Sequence, residues 1–486
     1  MPDLLTVLAL AAFVLVFAGL SEGFVARAPL SFPILFLGLG YWLGSRRVIP
    51  NDLHHSPILE AVAVVTLALV LFLDAVRMKF DRAPSEWLVP SLVLGPGTLL
   101  CVALVATAAH FLLGTGLLFS ILLGAILSST DPVVLRDIVR DKRVPSAIRQ
   151  ALTTEAATND VVVLPIVLVV IAVAKAEAST AGGWAIFLAR LLVLGPVIGF
   201  AIGAFGAWLM SWMDKRFGIR REYQSLYGMG LVFASYSGAV AVGGDGFLAS
   251  FAAGAAIAAL DLELCDCFLE YGDATSEMIM LFAFILFGAV LSTLIGTVPL
   301  APTLAFAAIT LFVARPAAIA IVLRRAELSH SARAFIAWFG PRGLASLLLA
   351  LLAVESGIPG ADGVLALAGV VVTVSVILHG MTATPLTALY ARRVSSETLA
   401  EERVSTAADL LRGEQVEKDD APLIEAAELV KRLSGPDPPL ILDVRSRSSF
   451  EKDPAGIPGG IRVPPDEVES WAVKHKLGQP IVTYCT

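Results

Sequence analysis

Residues 1–393 alternate long apolar runs with short polar loops, as in "PILEAVAVVTLALVLFLDAV" at 57–76. About 20 apolar residues in helical form are needed to cross ~30 Å of hydrocarbon. Thirteen spans are predicted on this criterion, near 4–21, 30–44, 57–76, 88–112, 116–135, 150–174, 184–212, 224–242, 246–260, 274–295, 298–323, 334–354 and 363–390. The second is short, and the ninth has the look of a re-entrant segment. Met1-Pro-Asp carries no positive n-region and no small-residue cleavage site follows, so the first run reads as a retained span rather than a signal peptide. After residue 393 the pattern changes. A charged stretch over 394–421 ("SSETLAEERVS", "GEQVEKDDAP") leads into a small α/β pattern: a helix near 424–433, a strand around 439–446, Pro/Gly turns at "GIPGGIRVPP", a helix near 466–476 and the strand "PIVTYC". The expected division is a transmembrane domain at 1–393, a linker at 394–421 and a small domain at 422–486.

Composition agrees with this pattern. The chain is 57% hydrophobic and 16% charged with a mean hydropathy of +0.80, whereas soluble domains carry about 25% charged residues. A soluble enzyme with one large core is excluded. The net charge of −7 is uneven: residues 1–393 hold 24 Lys+Arg against 25 Asp+Glu, and residues 394–486 hold 11 against 17. With the N-terminus outside, the inner loops carry 18 Lys/Arg and the outer loops three, Arg46, Arg47 and Lys175. The positive-inside bias therefore favours an odd number of spans and a cytoplasmic tail. The inner loop from Asp261 to Asp273 is purely acidic, but acids weigh little in that rule. An isoelectric point of about 5.5 without a basic patch argues against nucleic acid. Four scattered cysteines (Cys101, Cys265, Cys267, Cys485) give neither a disulfide framework nor metal spacing.

Ionisable groups at membrane depth are costly, so those that remain are functional candidates. They are Asp74, Asp131 in "SSTDPVVL", Glu155 and Asp160 in "TTEAATNDVVVLP", Arg315 in "ARPAAIA" and Arg342 in "FGPRGLASLLLA". Glu60 and Arg190 lie near span ends, where snorkelling accounts for them. Glu155 and Asp160 stand about 500° apart on a helix, so one can face a structural partner and the other a cavity. Asn159 can hold a neighbouring carbonyl or carboxylate with its amide. Pro132, after Asp131, and Pro341-Arg342-Gly343 interrupt spans five and twelve. Non-helical backbone at that depth survives only where protein or a water-filled cavity satisfies it. Broken helices at corresponding places of two halves point to inverted repeats with a midplane site, here two six-helix repeats joined by one linking span. Plainer readings stand beside these. A proline can be a simple kink, Asp131 with Thr130 can cap the half-helix starting there, and Glu155 with Arg315 can be a buried structural pair. Asp160 has no Lys or Arg within a helical turn.

Together these motifs resemble the monovalent cation:proton antiporter family, in its electroneutral sodium/proton exchanger branch. Glu155 with Asn159-Asp160 is similar to that family's E-x-x-x-N-D signature, and Thr130-Asp131-Pro132 resembles its unwound fifth helix. Arg315 and the "GPRG" around Arg342 resemble its two late arginines, and Asp74 in "LFLDAVRM" falls where the family usually has Glu. The resemblance covers about residues 4–390. It implies an all-α membrane homodimer of thirteen helices in the plasma membrane, with two crossed broken helices. Asp160 is then the group that binds either a cation or a proton. Thr130 and Asp131 line the crossing, Asn159 steadies the site, Asp74 contributes nearby, and Glu155 pairs with Arg315. Where the family often has Ser after the Glu, this chain has Ala156, and Thr158, two positions on, faces elsewhere.

The expected activity is one cation for one proton, competing for Asp160. Sodium is expected first, with lithium or potassium as alternatives, and with no cofactor beyond the carried ions. An empty, charged carboxylate is penalised at a dry barrier and either loaded form is neutral, which couples the fluxes. The tail resembles a rhodanese-like domain at Asp443, Arg445, Phe450, Gly456, Ile457, Pro458, Gly459 and Cys485. Because the sequence ends one residue after Cys485, without the anion-holding loop, the thiol is expected to be ordinary and the tail inactive as a sulfurtransferase. Its partner is left open. Two other classes remain for comparison: a membrane-anchored sulfur-handling protein, and a cation channel with Asp131 and Asp160 as a charged ring.

Overall fold

A computed structural model describes residues 4–25, 31–49, 56–78, 93–131, 135, 138–139, 141, 143–177, 180–260, 266–325, 328–396, 424, 426–435, 438–468, 471–472 and 480–484. Helices occupy the apolar runs. They are α1 (Leu4–Val25), α2 (Phe32–Ser45), α3 (Pro57–Val76), α4 (Val93–Leu113), α5 (Leu117–Ile126), α6 (Ser146–Ala174) and α7 (Ala181–Phe217). There follow α8 (Arg221–Ala241), α9 (Gly246–Ala259), α10 (Asp266–Leu294), α11 (Leu300–Val322), α12 (His330–Trp338), α13 (Leu344–Glu355) and α14 (Ala361–Ser396). Seven of them, α3, α4, α6, α7, α10, α11 and α14, are long and apolar enough to cross a membrane. The predicted fifth and twelfth spans are not continuous. Only Leu117–Ile126 of the fifth is helical before the chain leaves the helix at 127–131, and α12 and α13 are separated by residues 339–343. Pro132 lies outside the described residues.

Helices of this kind cannot sort themselves by hydrophobicity, since lipid is as apolar as they are; small residues that let backbones approach do the work. The α2–α10 pair shows it. A Cβ at Gly40 or Gly288 would run into the backbone of Ile285 or Leu37, so glycine alone permits this spacing. Around α10 the core is filled by Phe36, Phe72, Phe268 and Phe284, with the Phe72 and Phe268 rings edge to face at 5.8 Å. The outer surface is apolar as well: α7 exposes Leu192, Val193, Phe205 and Trp208. So many exposed large apolar side chains on one helix are unfavourable in water and ordinary in lipid.

Two entries into the bundle are loosened by a π turn. In α4 the wide turn at Val93–Gly97 contains Pro96 and precedes Thr98; in α11 the wide turn at Thr310–Ala314 precedes Arg315-Pro316. Proline has no N–H for the preceding turn, and a π turn re-aims the residues after it. Both turns sit just before side chains of the site described below.

The tail forms α15 (Ala426–Leu433), β1 (Leu440–Asp443), α16 (Arg447–Lys452), β2 (Ile461–Arg462) and β3 (Ile481–Tyr484). The strands make a parallel sheet in the order β2-β1-β3, with Leu442 opposite both Ile461 and Thr483. A 3₁₀ turn at Pro465–Glu467 opens the stretch where the 466–476 helix is expected, and Val468, Trp471 and Ala472 beyond it are helical. Linker residues 397–421 and the Cys485 position lie outside the described residues.

Candidate functional site

The two helix interruptions meet. The Asp131 N–H donates to the Pro341 carbonyl at 2.9 Å, and Asp131 Oδ2 accepts the Leu344 N–H at 2.7 Å. Asp131 thus caps α13, the half-helix of the opposite interruption; residues 132–134, which follow it, lie outside the described residues. In return, Arg342 Nη1 donates to the Ser128 and Ser129 carbonyls at 2.9 and 3.0 Å, where α5 has ended. A carboxylate therefore sits at a helix N-terminus and a guanidinium at a helix C-terminus, each complementing the exposed backbone dipoles there. Arg342 is fully buried. Its own N–H is held by Ser375 Oγ of α14 at 2.7 Å, and the His379 ring nitrogens lie 2.9 and 3.0 Å from the Ser375 and Trp338 carbonyl oxygens.

Arg315 does the same for α12. Its Nη2 donates to the Phe339 carbonyl at 3.0 Å while two nitrogens grip Glu155 at 2.5 and 3.0 Å. The expected pair thus exists, and it closes a helix end as well. The glycines of "GPRG" follow from this crowding. A Cβ at Gly340 would fall on the Arg315 guanidinium and one at Gly343 on the Asp131 carboxylate.

Beside this crossing stands Asp160, one residue past Asn159 on α6. Asn159 Nδ2 donates to the Ser128 carbonyl at 2.7 Å and reaches Thr130 Oγ1 at 3.4 Å, while its Oδ1 accepts from Thr98 Oγ1 at 3.2 Å. Asn159 is therefore a brace between α4, α6 and the first interruption. Asp160 is 5% exposed and accepts a hydrogen bond from Ser129 Oγ at 2.5 Å. Among the described residues, no Lys or Arg forms an ion pair with it.

The structure brings Asp160, Asn159, Thr130, Asp131 and Arg342 into one cluster, with Glu155–Arg315 beside it. Pro341 lends its carbonyl to that cluster. Two further expected members are engaged by neighbours on their own helices. Asp74 lies 3.8 Å from Arg77, whose guanidinium also pairs with Asp273 of α10. The Thr158 hydroxyl is spent on the Thr154 carbonyl at 2.5 Å, the back-bond that a buried hydroxyl in an apolar helix makes by default. Sequence reasoning missed Ser129, Thr98, Ser375 and His379. Only Ser129, adjacent to the Thr130-Asp131 motif, carried a signal that could have pointed to it.

What the fold and site define is a polytopic membrane protein whose two helix interruptions meet beside Asp160, a buried carboxylate with no ion-pair partner among the described residues. Residues 6–389 match the transmembrane domain of the sodium/hydrogen exchangers, and the chain belongs to that family. Among its relatives, the K(+)/H(+) antiporter NhaP of Alkalimonas amylolytica is 23% identical over 73% of this chain, which spans 61% of that protein's length. The Na(+)/H(+) antiporter NhaH of Halobacillus dabanensis is 26% identical over 74% of this chain and 91% of its own. The sodium proton antiporter MjNhaP1 of Methanocaldococcus jannaschii shares the fold: TM-score 0.62 at 20% identity, over 80% of this chain and 99% of that one.

Proposed function

We propose that the chain is a secondary antiporter, not an enzyme, exchanging a monovalent cation for a proton, with Asp160 carrying either ion. The observation that supports it is the setting of Asp160: buried, touched by the Ser129 hydroxyl, and beside non-helical backbone. A hard cation wants oxygen ligands, and a carboxylate, the Ser129 hydroxyl and water can supply them. The Ser128 and Ser129 carbonyls are already engaged by Arg342 and Asn159, so they hold the scaffold and leave Asp160 for the ion. Burying an unpaired carboxylate is heavily penalised. A proton or a cation on Asp160 removes that penalty, and the empty carrier cannot easily return. One carboxylate then gives one cation for one proton, an electroneutral exchange.

The relatives' names divide between sodium and potassium; sodium is the proposed cation. On the same reading the chain crosses the plasma membrane thirteen times, α12 and α13 together making one crossing. The N-terminus is outside, the tail is cytoplasmic and the unit is a homodimer. Asp131, Thr130, Asn159 and Arg342 form the crossing, Glu155 and Arg315 lock it, and Asp74 serves nearer the membrane surface. The tail is proposed as a rhodanese-like unit, which its parallel strands and the Asp443–Arg445 pair support.

Vesicles holding a pH-sensitive dye test the reading. Sodium, lithium or potassium added in turn should dissipate a preset pH gradient, sodium most strongly, and Asp160→Asn should abolish the response while remaining folded in the membrane. Transport by Asp160→Asn near the unmodified rate overturns the assignment, and cation current without proton movement makes the protein a channel.

A further inference from the structure

The tail is joined to the membrane bundle at the start of α6, the helix that carries Asp160. Pro145 precedes that helix and has no side-chain cap to offer. The cap comes instead from some 320 residues away: Asp466 Oδ2 accepts the Ser146 N–H at 2.7 Å, and the Ser146 hydroxyl donates to the Asp466 carbonyl at 2.8 Å. Three residues on, Arg149 donates to Glu467 at 3.1 Å with Nη2 and to the Val144 carbonyl at 2.9 Å with Nε. Asp466 is only 2% exposed, and Arg447 of the tail grips its other edge at 2.7 Å. A buried carboxylate held between an arginine and a helix N-terminus has both of its charge requirements met. This is a built contact and not a loose surface pair.

A second attachment reaches α14. Ser395 donates to Glu451 of the tail at 2.9 Å, and α16 packs against the end of α14. Both helices that the tail holds contribute to the site. Asp160 and Asn159 stand on α6, and Ser375, which fixes Arg342, stands on α14. From Ser146 to Asp160 is 14 residues, about 21 Å of rigid helix at ~1.5 Å per residue. A shift at the capped end is carried along that rod to the carboxylate.

We propose that the Asp466–Glu467 turn is a positioning element of the transport site, setting where α6 stands and hence how well Asp160 binds its cation. This rests on the antiport reading above. Charge reversal tests it in the full-length protein in vesicles. Arg149→Glu and Glu467→Arg should each raise the sodium concentration for half-maximal exchange at least threefold, with the maximal rate changed less. The double variant should restore the original value. Amide exchange at 146–149 should accelerate in each single variant, and in Asp466→Ala, without change around β1. Single variants with unaltered half-saturation, or a double variant no better than the singles, overturn the proposal. If the unmodified protein shows no cation/proton exchange, the antiport reading fails instead, while the amide-exchange result still decides whether the tail caps α6.

Discussion

Glu155 and Asp160 are carboxylates on one helix, less than two turns apart, with opposite surroundings. Glu155 is bound twice by Arg315, and Asp160, among the described residues, by a serine hydroxyl. Removing one member of a buried pair strands the other's charge, so Glu155→Ala should destabilise the protein by about 3–5 kcal/mol, read as a clear drop in thermal stability in detergent. Ser129→Ala should leave that stability nearly unchanged but raise the cation concentration for half-maximal exchange severalfold, because it removes a side-chain oxygen that touches Asp160. Equal half-saturation in the two proteins would count against Ser129 as a ligand. The charged members of this site were legible in the sequence, because a charge in an apolar run stands out energetically. Ser129 and Thr98 were not: a membrane helix tolerates hydroxyls freely, and only the fold decides whether one meets a carboxylate or its own backbone, as Thr158 does.

At the scale of elements, the apolar runs located the helices well, and proline and glycine located the interruptions. What escaped the sequence was the exchange between them. Asp131 caps α13 and Arg342 closes α5, contacts spanning more than 200 residues that no local pattern encodes. The close α2–α10 approach was equally hidden, since glycine in a membrane helix carries no label for its partner. Gly288→Leu should cost about 1–3 kcal/mol through overpacking and reduce the yield of folded protein on size-exclusion chromatography. An unchanged yield and melting temperature would show that the helices can part without penalty.

For the whole molecule, orientation is the plainest expectation. A cysteine replacing Arg47 should react with an impermeant thiol reagent in intact cells, and one replacing Lys215 only after permeabilisation. The reverse result would invert the topology. In the tail, the Arg445 side chain holds the Asp443 carboxyl down to about 2. Its folded value lies below the ordinary value near ~3.9, so the pair's contribution to stability is complete at neutral pH. That contribution drains away only as pH falls below about 4 towards 2. Limited proteolysis of the tail should therefore show undiminished resistance down to about pH 4. The reciprocal bracing of the crossing also bears on biogenesis. A ribosome adding ~5–20 residues per second emits Arg342 roughly 10–40 s after Ser129. For that interval Asn159 already holds the Ser128 carbonyl, but the Ser129 carbonyl waits for Arg342 inside the bilayer, where water or the insertion machinery must shelter it. The amino-terminal half made alone should consequently be a ward of the quality-control proteases.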